Sequence, residues 1–172
     1  MINGLYYVKI KIKMMRLNDS GYKLIMSFEG LKLKPYLCSA GVPTIGYGNT
    51  FYPNGKKVTL KDKPITKEYA FEIFKFIADL FAKDVDSLIK SKVNQNQFNA
   101  LVSFAYNVGT DIDHDDIPEG LGDSTLLKKV NANPLDLNIL SEFLKWNKSN
   151  GEVINGLTAR RKKEAALYFT KI

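Results

Sequence analysis

The stretch from Ser27 to Gly48 reads SFEGLKLKPYLCSAGVPTIGYG, and it decides the fold of this 172-residue chain. It places a helix end at Glu29-Gly30, directly before a run in which prolines and glycines punctuate short β-type segments. Upstream, Asn18-Asp19-Ser20 offers N-cap side chains for a short first helix. The sequence therefore predicts a first helix that ends near Gly30, followed by a small antiparallel sheet of hairpins over residues 31–63.

Beyond residue 65 the apolar residues recur at helical spacing, which predicts a mainly helical second part. A long helix is expected from Thr66 to about Ser91, with Thr66 as its N-cap. Further helices are expected over residues 94–109, 124–130, 135–146 and 157–169. The predicted architecture is α+β and two-lobed: a peripheral extension (1–15) precedes one domain (16–172) with a sheet lobe (about 16–65), a connecting helix (about 66–91) and a helical lobe (about 92–172).

The composition is close to average for a globular protein, with 45% hydrophobic and 25% charged residues. It excludes a disordered tail, a collagen-like fibre and a disulfide-stapled miniprotein. The formal net charge of +7 predicts attraction to a polyanion such as nucleic acid, acidic lipid or an anionic cell envelope. The single cysteine, Cys38, excludes an intramolecular disulfide, and a lone thiol is most often a small buried apolar side chain.

Glu29 is the first candidate for acid–base chemistry, because it lies at a helix end between Phe28 and a glycine. A carboxyl group among apolar neighbours is harder to ionise and can hold a proton near neutral pH. On these facts alone an ordinary surface glutamate is about twice as common as a catalytic acid. The residues that follow favour the catalytic alternative.

Eight residues separate Glu29 from Cys38, and five separate Cys38 from Thr44. This spacing resembles the Glu-x8-(Asp or Cys)-x5-Thr signature of phage-type lysozymes, the endolysins of glycoside hydrolase family 24. The resemblance covers nearly everything between residues 16 and 168, in the order of the family, and it implies a two-lobed lysozyme-like fold that agrees with the one predicted above. The further motifs that carry it are Ser27–Gly30, Thr44–Gly48, Asn96–Phe104, Asn107–Gly109, Ser124–Leu127, Trp146, Gly156-Leu157, Arg160-Arg161 and Glu164.

The resemblance implies a muramidase that hydrolyses the β-1,4 bond between N-acetylmuramic acid and N-acetylglucosamine in peptidoglycan during host cell lysis. It implies that Glu29 is the general acid and that Cys38 stands where many members keep an aspartate that activates water. Thr44 would orient that water or hold the thiol. The residues at motif positions that line the saccharide cleft of the family are Tyr106, Asn107, Ser124 and Thr125.

Several roles stay open at this point. Cys38 can act as a thiolate base, as a nucleophile or only as a group that positions water, and the family analogy favours inversion at the anomeric carbon. Asn49 follows the Gly-Tyr-Gly motif where the family often has histidine, and we expect it to alter a structural hydrogen bond. Arg160 and Arg161 either lie near Glu29 or face solvent, with a structural role expected for at least one of them.

The loop from Thr110 to Asp123 carries six acidic residues, yet it fails the pattern of a calcium loop. Asp116 stands where the sixth-position glycine belongs, and Gly122 where the twelfth-position glutamate belongs. The only histidine, His114, lies in this loop and outside every motif. We therefore expect a solvated loop, with no metal and no cofactor.

Two other functions compete with hydrolysis: a lytic transglycosylase that uses Glu29 alone, and a non-catalytic basic module that binds cell wall or nucleic acid. The triad spacing argues against the first, and the sequence has no recognised nucleic-acid motif. The expected partner is peptidoglycan, with no nucleic acid and no stable membrane insertion. From the resemblance we expect a monomer that stays in the host cytoplasm until a holin-type lesion releases it to the cell wall or periplasm. The first fifteen residues hold no signal-like apolar run.

Overall fold

A computed structural model describes residues 14–38, 40–112 and 119–171, and it confirms the predicted α+β architecture of helices with a small antiparallel sheet. Residues 1–13 of the expected peripheral extension lie outside this description. The helices are α1 (Asp19–Glu29), α2 (Lys67–Leu88), α3 (Gln95–Val108), α4 (Thr125–Ala132), α5 (Ile139–Leu144) and α6 (Asn155–Tyr168). The strands are β1 (Lys32–Leu37), β2 (Pro43–Gly46), β3 (Lys148–Ser149) and β4 (Glu152–Val153).

The sheet that follows α1 is a hairpin in which β1 pairs antiparallel with β2, with Tyr36 opposite Thr44. Its register shifts between Lys32 and Tyr36, where Pro35 cannot donate a ladder hydrogen bond. The chain turns at Pro53-Asn54-Gly55, where Gly55 has a φ of 80°. Because Cys38 follows β1 directly and Thr44 lies in β2, the hairpin brings these two side chains to the same end of the sheet.

The core forms around α3, in which the nine residues from Gln97 to Ala105 are all buried. Its start is fixed by a capping box: the Asn94 side chain accepts from the Gln97 N–H, and the Gln97 side chain accepts from the Asn94 N–H. Helices α1, α2 and α6 pack around it. The side chains that fill the space between these helices include Ile25, Phe74, Leu101, Phe104, Phe143 and Tyr168.

The structure differs from the sequence-based expectation between residues 133 and 154. The helix predicted over 135–146 is shorter and begins only at Ile139, because Asn133 and Asp136 use their side chains to accept N–H groups in turns. The β3–β4 hairpin was not predicted. Its turn is Asn150-Gly151, both at positive φ (50° and 83°), so the Asn-Gly pair was the signal available in the sequence.

In the described part of the chain, every helix is too short or too polar to cross a membrane.

Phe104 tests how strongly α3 depends on its aromatic neighbours. It is fully buried, and its ring meets those of Phe143 and Trp146 edge-on, at centroid distances of 5.6 and 5.4 Å. Phe104→Ala should lower the free energy of unfolding in urea by about 3–5 kcal/mol, because a cavity remains. Leu137→Ala, at a site 79% exposed, is the control and should change it by less than about 0.5 kcal/mol. Equal losses in the two variants would contradict this account of the core.

Candidate active site

Glu29 is the last residue of α1, and its carboxylate lies between Arg160 of α6 and Gly48. Gly30 has a φ of 60°, a conformation that glycine adopts without strain, so the chain turns into β1 immediately after Glu29. Oε1 of Glu29 accepts a hydrogen bond from Nη1 of Arg160 at 2.7 Å. A Cβ placed on Gly48 would lie 3.4 Å from Oε2, so the absence of a side chain there keeps the space beside the carboxylate open. The Glu29 side chain remains 21% exposed.

Arg160 uses all three of its guanidinium nitrogens within the protein. Besides the bond to Glu29, Nη2 donates to the carbonyl oxygen of Ser103 at 3.0 Å, and Nε donates to Glu164 at 3.1 Å. The guanidinium also lies 4.8 Å from the centre of the Phe28 ring. Of the two alternatives left open for Arg160, the structure therefore supports contact with Glu29, and the side chain is 4% exposed.

Glu164 and Arg161 lie behind Arg160, and both are fully buried. Glu164 accepts a hydrogen bond from the Ser103 hydroxyl at 2.8 Å and pairs with Nη1 of Arg161 at 3.0 Å. Burial raises the pKa of Glu164, and the two neighbouring guanidiniums oppose that rise. Burial lowers the pKa of Arg161 to about 10, so its charge is kept at neutral pH. The i, i+4 spacing of Arg160 and Glu164 was the signal in the sequence for this arrangement.

Cys38 lies in a tight loop between β1 and β2, partly exposed rather than buried as lone thiols usually are. Its N–H donates to the carbonyl of Val42 at 3.0 Å, and its own carbonyl accepts from Gly41 at 2.9 Å. Hydrogen bonds from the backbone at Val42 and Ala40 lower the pKa of the Cys38 thiol, and a bond from the Thr44 side chain adds to this effect. The loop thus stabilises a thiolate and places Thr44 next to it.

The hairpin approaches the carboxylate at Gly48, just after β2, where an added Cβ would lie 3.4 Å from Oε2 of Glu29. Burial, and then the negative charges of Cys38 and Glu29, raise the pKa of Tyr36 on β1 of the same hairpin. On α3, burial and the charge of Glu29 raise the pKa of Tyr106. Glu29 therefore lies beside the segment that follows β2, the strand that carries Thr44.

Asn49 occupies the position where a histidine was considered. It is 3% exposed, its backbone pairs with that of Ile45, and its Nδ2 points at the Tyr106 hydroxyl oxygen at 3.5 Å. This contact links the hairpin to the end of α3, as expected for a structural hydrogen bond.

The four predicted saccharide-binding residues fall into different environments. Asn107 is exposed at the end of α3, and Arg161 donates a hydrogen bond to its Oδ1. Asn107 also lines a groove of about 360 Å³, together with Trp146 and Leu157. Tyr106 is partly buried, and its ring packs against Phe74 and Phe81, so it also has a packing role.

Ser124 and Thr125 begin α4, but only Thr125 is exposed. The Ser124 hydroxyl donates to the carbonyl of Leu121 at 2.6 Å and accepts from the N–H of Leu127 at 3.0 Å. Ser124 is fully buried, so the structure gives it the role of N-cap instead of a ligand contact.

The acidic loop is described only in part, since Asp113, His114, Asp115 and Asp116 lie outside the described residues. Asp111 adopts a φ of 53°, and its Oδ2 accepts N–H groups from Glu119, Gly120 and Asp123. Across residues 14–38, 40–112 and 119–171, no three acidic, histidine or cysteine side chains converge as a metal site.

The ionisation of Cys38 can be followed directly, because it is the only cysteine. Its lowered pKa predicts that the rate of alkylation by iodoacetamide reaches half its maximum at a lower pH than for free cysteine measured alongside. Thr44→Val removes one donor and should move this midpoint to higher pH, whereas Thr170→Val at an exposed site should not. A midpoint equal to that of free cysteine would show that the loop does not stabilise the thiolate.

Comparisons with known proteins identify the family of this chain. The chain matches the Phage lysozyme family over residues 26–164. It is 40% identical over 156 residues to an endolysin of Bacillus phage B103, covering 91% of this chain but 55% of that protein. It is 31% identical over 157 residues to an endolysin of Salmonella phage P22, covering 91% and 100%. The chain therefore spans about half the length of the Bacillus phage relatives and the whole length of the P22 relative.

Solved structures show the same likeness. An endolysin from Escherichia coli O157:H7 phage FAHEc1 superposes with a TM-score of 0.79 at 35% identity, covering 91% of this chain and 95% of the other. The muramidase domain of SpmX from Asticaccaulis excentricus superposes with a TM-score of 0.74 at 29% identity, covering 91% and 99%. By its sequence and its fold, this chain belongs to the phage lysozyme family.

Proposed function

We propose that this chain is a peptidoglycan muramidase of glycoside hydrolase family 24 that hydrolyses the β-1,4 bond between N-acetylmuramic acid and N-acetylglucosamine, with Glu29 as general acid. One observation carries the proposal: the Glu29 carboxylate is held by Arg160 at 2.7 Å, stays 21% exposed and lies near the hairpin that carries Cys38 and Thr44. A solved neighbour that is named as a muramidase domain supports the same reaction.

Glycoside hydrolysis needs a proton on the departing oxygen as the bond to the anomeric carbon breaks. Glu29 supplies this proton from the oxygen that is not bonded to Arg160, next to the open space at Gly48. As the proton leaves, negative charge develops on the Glu29 carboxylate. Because the Arg160 guanidinium is already in place, it stabilises this developing charge in the transition state more than it stabilises the neutral acid in the ground state.

Cys38 activates the attacking water, and Thr44 orients it. The hydrogen bonds that lower the pKa of Cys38 favour the thiolate, which can accept a proton from water, while the Thr44 hydroxyl next to it orients the same molecule. Water that attacks from the hairpin side, opposite the proton donor, inverts the anomeric carbon. Inversion is therefore part of the proposal.

The substrate is contacted by exposed polar groups at the ends of α3 and α4. Arg161 occupies Oδ1 of Asn107, which leaves the Nδ2 group to donate to a sugar oxygen, and the groove next to Asn107 is lined by Trp146. Thr125 and Tyr106 are further candidates. The net charge of +7 favours an anionic cell envelope as the place of action. Action as a monomer, and release from the cytoplasm through a holin-type lesion, stay predictions from the sequence.

Mass spectrometry of fragments released from purified peptidoglycan tests the reaction. We expect reducing-end muramic acid from the wild type and none from Glu29→Gln, whose amide oxygen can still accept the bond from Arg160 but which cannot donate the proton. Glu72→Gln, at an exposed site on α2, is the control and should behave as the wild type.

Anhydro ends, which are one water lighter, would mean a lytic transglycosylase and overturn the hydrolytic proposal. Release of no fragments by the wild type would leave a binding module. Near-normal release by Glu29→Gln would show that another group is the acid.

Substitutions of Cys38 test how water is activated. Cys38→Ala should lower kcat about 100-fold, since it removes the general base, while Cys38→Asp should recover part of that loss because a carboxylate can accept the same proton. Turnover of soluble glycan fragments and thermal unfolding are measured in parallel, so that lost folding is recognised. Full activity of Cys38→Ala would make the thiol a spectator.

A further inference from the structure

We infer that Glu164 is a positioning residue for both Glu29 and Asn107, and that it acts on the first through Arg160 and on the second through Arg161. The inference rests on the proposed function, which makes Glu29 the acid and Asn107 a sugar contact. It adds a residue that touches neither substrate nor reacting atoms.

The two oxygens of Glu164 serve two different guanidiniums. Oε1 accepts from Nε of Arg160 at 3.1 Å and from the Ser103 hydroxyl at 2.8 Å, while Oε2 faces Nη1 of Arg161 at 3.0 Å. Glu164 is fully buried, so water does not compete for these contacts. One carboxylate therefore fixes the directions of two neighbouring arginines of α6.

Each arginine in turn holds a side chain that solvent reaches. Arg160 donates to Glu29 at 2.7 Å, and Arg161 donates to Oδ1 of Asn107. The planes of the guanidiniums are also fixed by aromatic rings, Phe28 at 4.8 Å from Arg160 and Phe104 at 4.7 Å from Arg161. Without Glu164, Nε of Arg160 has no acceptor. The guanidinium then loses one of the contacts that direct its Nη1 group toward Glu29.

Glu164 also balances the charge of the site. Two guanidiniums, Arg160 and Arg161, face two carboxylates, Glu29 and Glu164. Among the described residues, burial and then the charge of Glu29 raise the pKa values of Tyr36 on β1 and Tyr106 on α3, so both tyrosines stay neutral at working pH. Lys163 lies over the adjacent Phe28 ring, 5.3 Å from its centre. Removal of the Glu164 charge leaves the two guanidiniums without the carboxylate that both contact.

Glu164→Gln isolates this effect, because the amide keeps the shape of the side chain and can still accept from Arg160. At neutral pH kcat should fall about tenfold, because the neutral amide holds Arg160, and through it Glu29, less firmly than the carboxylate does. KM should rise as well, because Asn107 loses its fixed orientation.

Glu142→Gln is the matched control. Glu142 is also a buried glutamate, 5% exposed, and its partner is Lys145 at 2.8 Å, away from the Glu29 cluster. It should lower stability without changing kcat or KM. Ser103→Ala removes a hydrogen bond to Glu164 but keeps its charge, so it should change kcat and KM much less than Glu164→Gln does. The iodoacetamide rate of Cys38, recorded in each variant, shows whether the thiol is disturbed.

If Glu164→Gln lowers stability as Glu142→Gln does but leaves kcat and KM unchanged, Glu164 is purely structural and the inference is overturned. Failure of the proposed function gives a different result. In that case the wild type releases no hydrated fragments, or Glu29→Gln stays active, before any Glu164 variant is considered.

Discussion

The burial of α3 is the constraint on which the rest of the structure depends. A helix with nine consecutive buried residues must be enclosed on all sides, and its polar side chains must find partners inside the protein. Gln97 donates to the carbonyl of Pro134 at 2.9 Å, Asn99 donates to Asn18 at 2.7 Å, and Ser103 donates to Glu164 at 2.8 Å. These three side chains of α3 thus fix the positions of the turn before α5, the start of α1 and the middle of α6. Since α1 and α6 are both set against α3, the carboxylate that ends α1 meets the arginine of α6.

Stability alone does not explain why the charged side chains of Arg160, Arg161 and Glu164 are buried next to Glu29. Burial of ionised groups costs desolvation free energy, and apolar side chains of similar volume often stabilise a protein as well or better. Arg160, Arg161 and Glu164 nevertheless occupy the interface between α3 and α6, where neighbouring contacts are apolar and aromatic. Their hydrogen bonds lead outward to two side chains that solvent reaches. A buried cluster whose hydrogen bonds reach a carboxylate and an amide at the surface is better explained by what it orients than by what it stabilises.

Much of the fold could be predicted from local chemistry, because its signals lie within a few residues of the element that they control. Asn18, Thr66, Asn94 and Ser124 cap the helices that they were expected to begin. The β3–β4 hairpin and the short α5 could not be read from apolar periodicity, since one depends on an Asn-Gly turn and the other on side-chain turns that delay the helix. Contacts between residues far apart in the sequence could not be predicted in the same way. The motif that contains Arg160 was recognised, but its contact with Glu29 joins residues that are 131 positions apart.

The proposed acid, Glu29, and the proposed base, Cys38, are stabilised by different kinds of groups. Glu29 depends on a side chain delivered from α6, whereas Cys38 depends mainly on backbone groups of its own hairpin loop, at Val42 and Ala40. Backbone donors are present whichever residue occupies position 38, and they stabilise an anionic oxygen as well as an anionic sulfur. The loop is therefore able to support either an aspartate or a cysteine at this position without rearrangement of the acid. An exchange between the two alters the strength of the base while the geometry of Glu29, Arg160 and Glu164 stays the same.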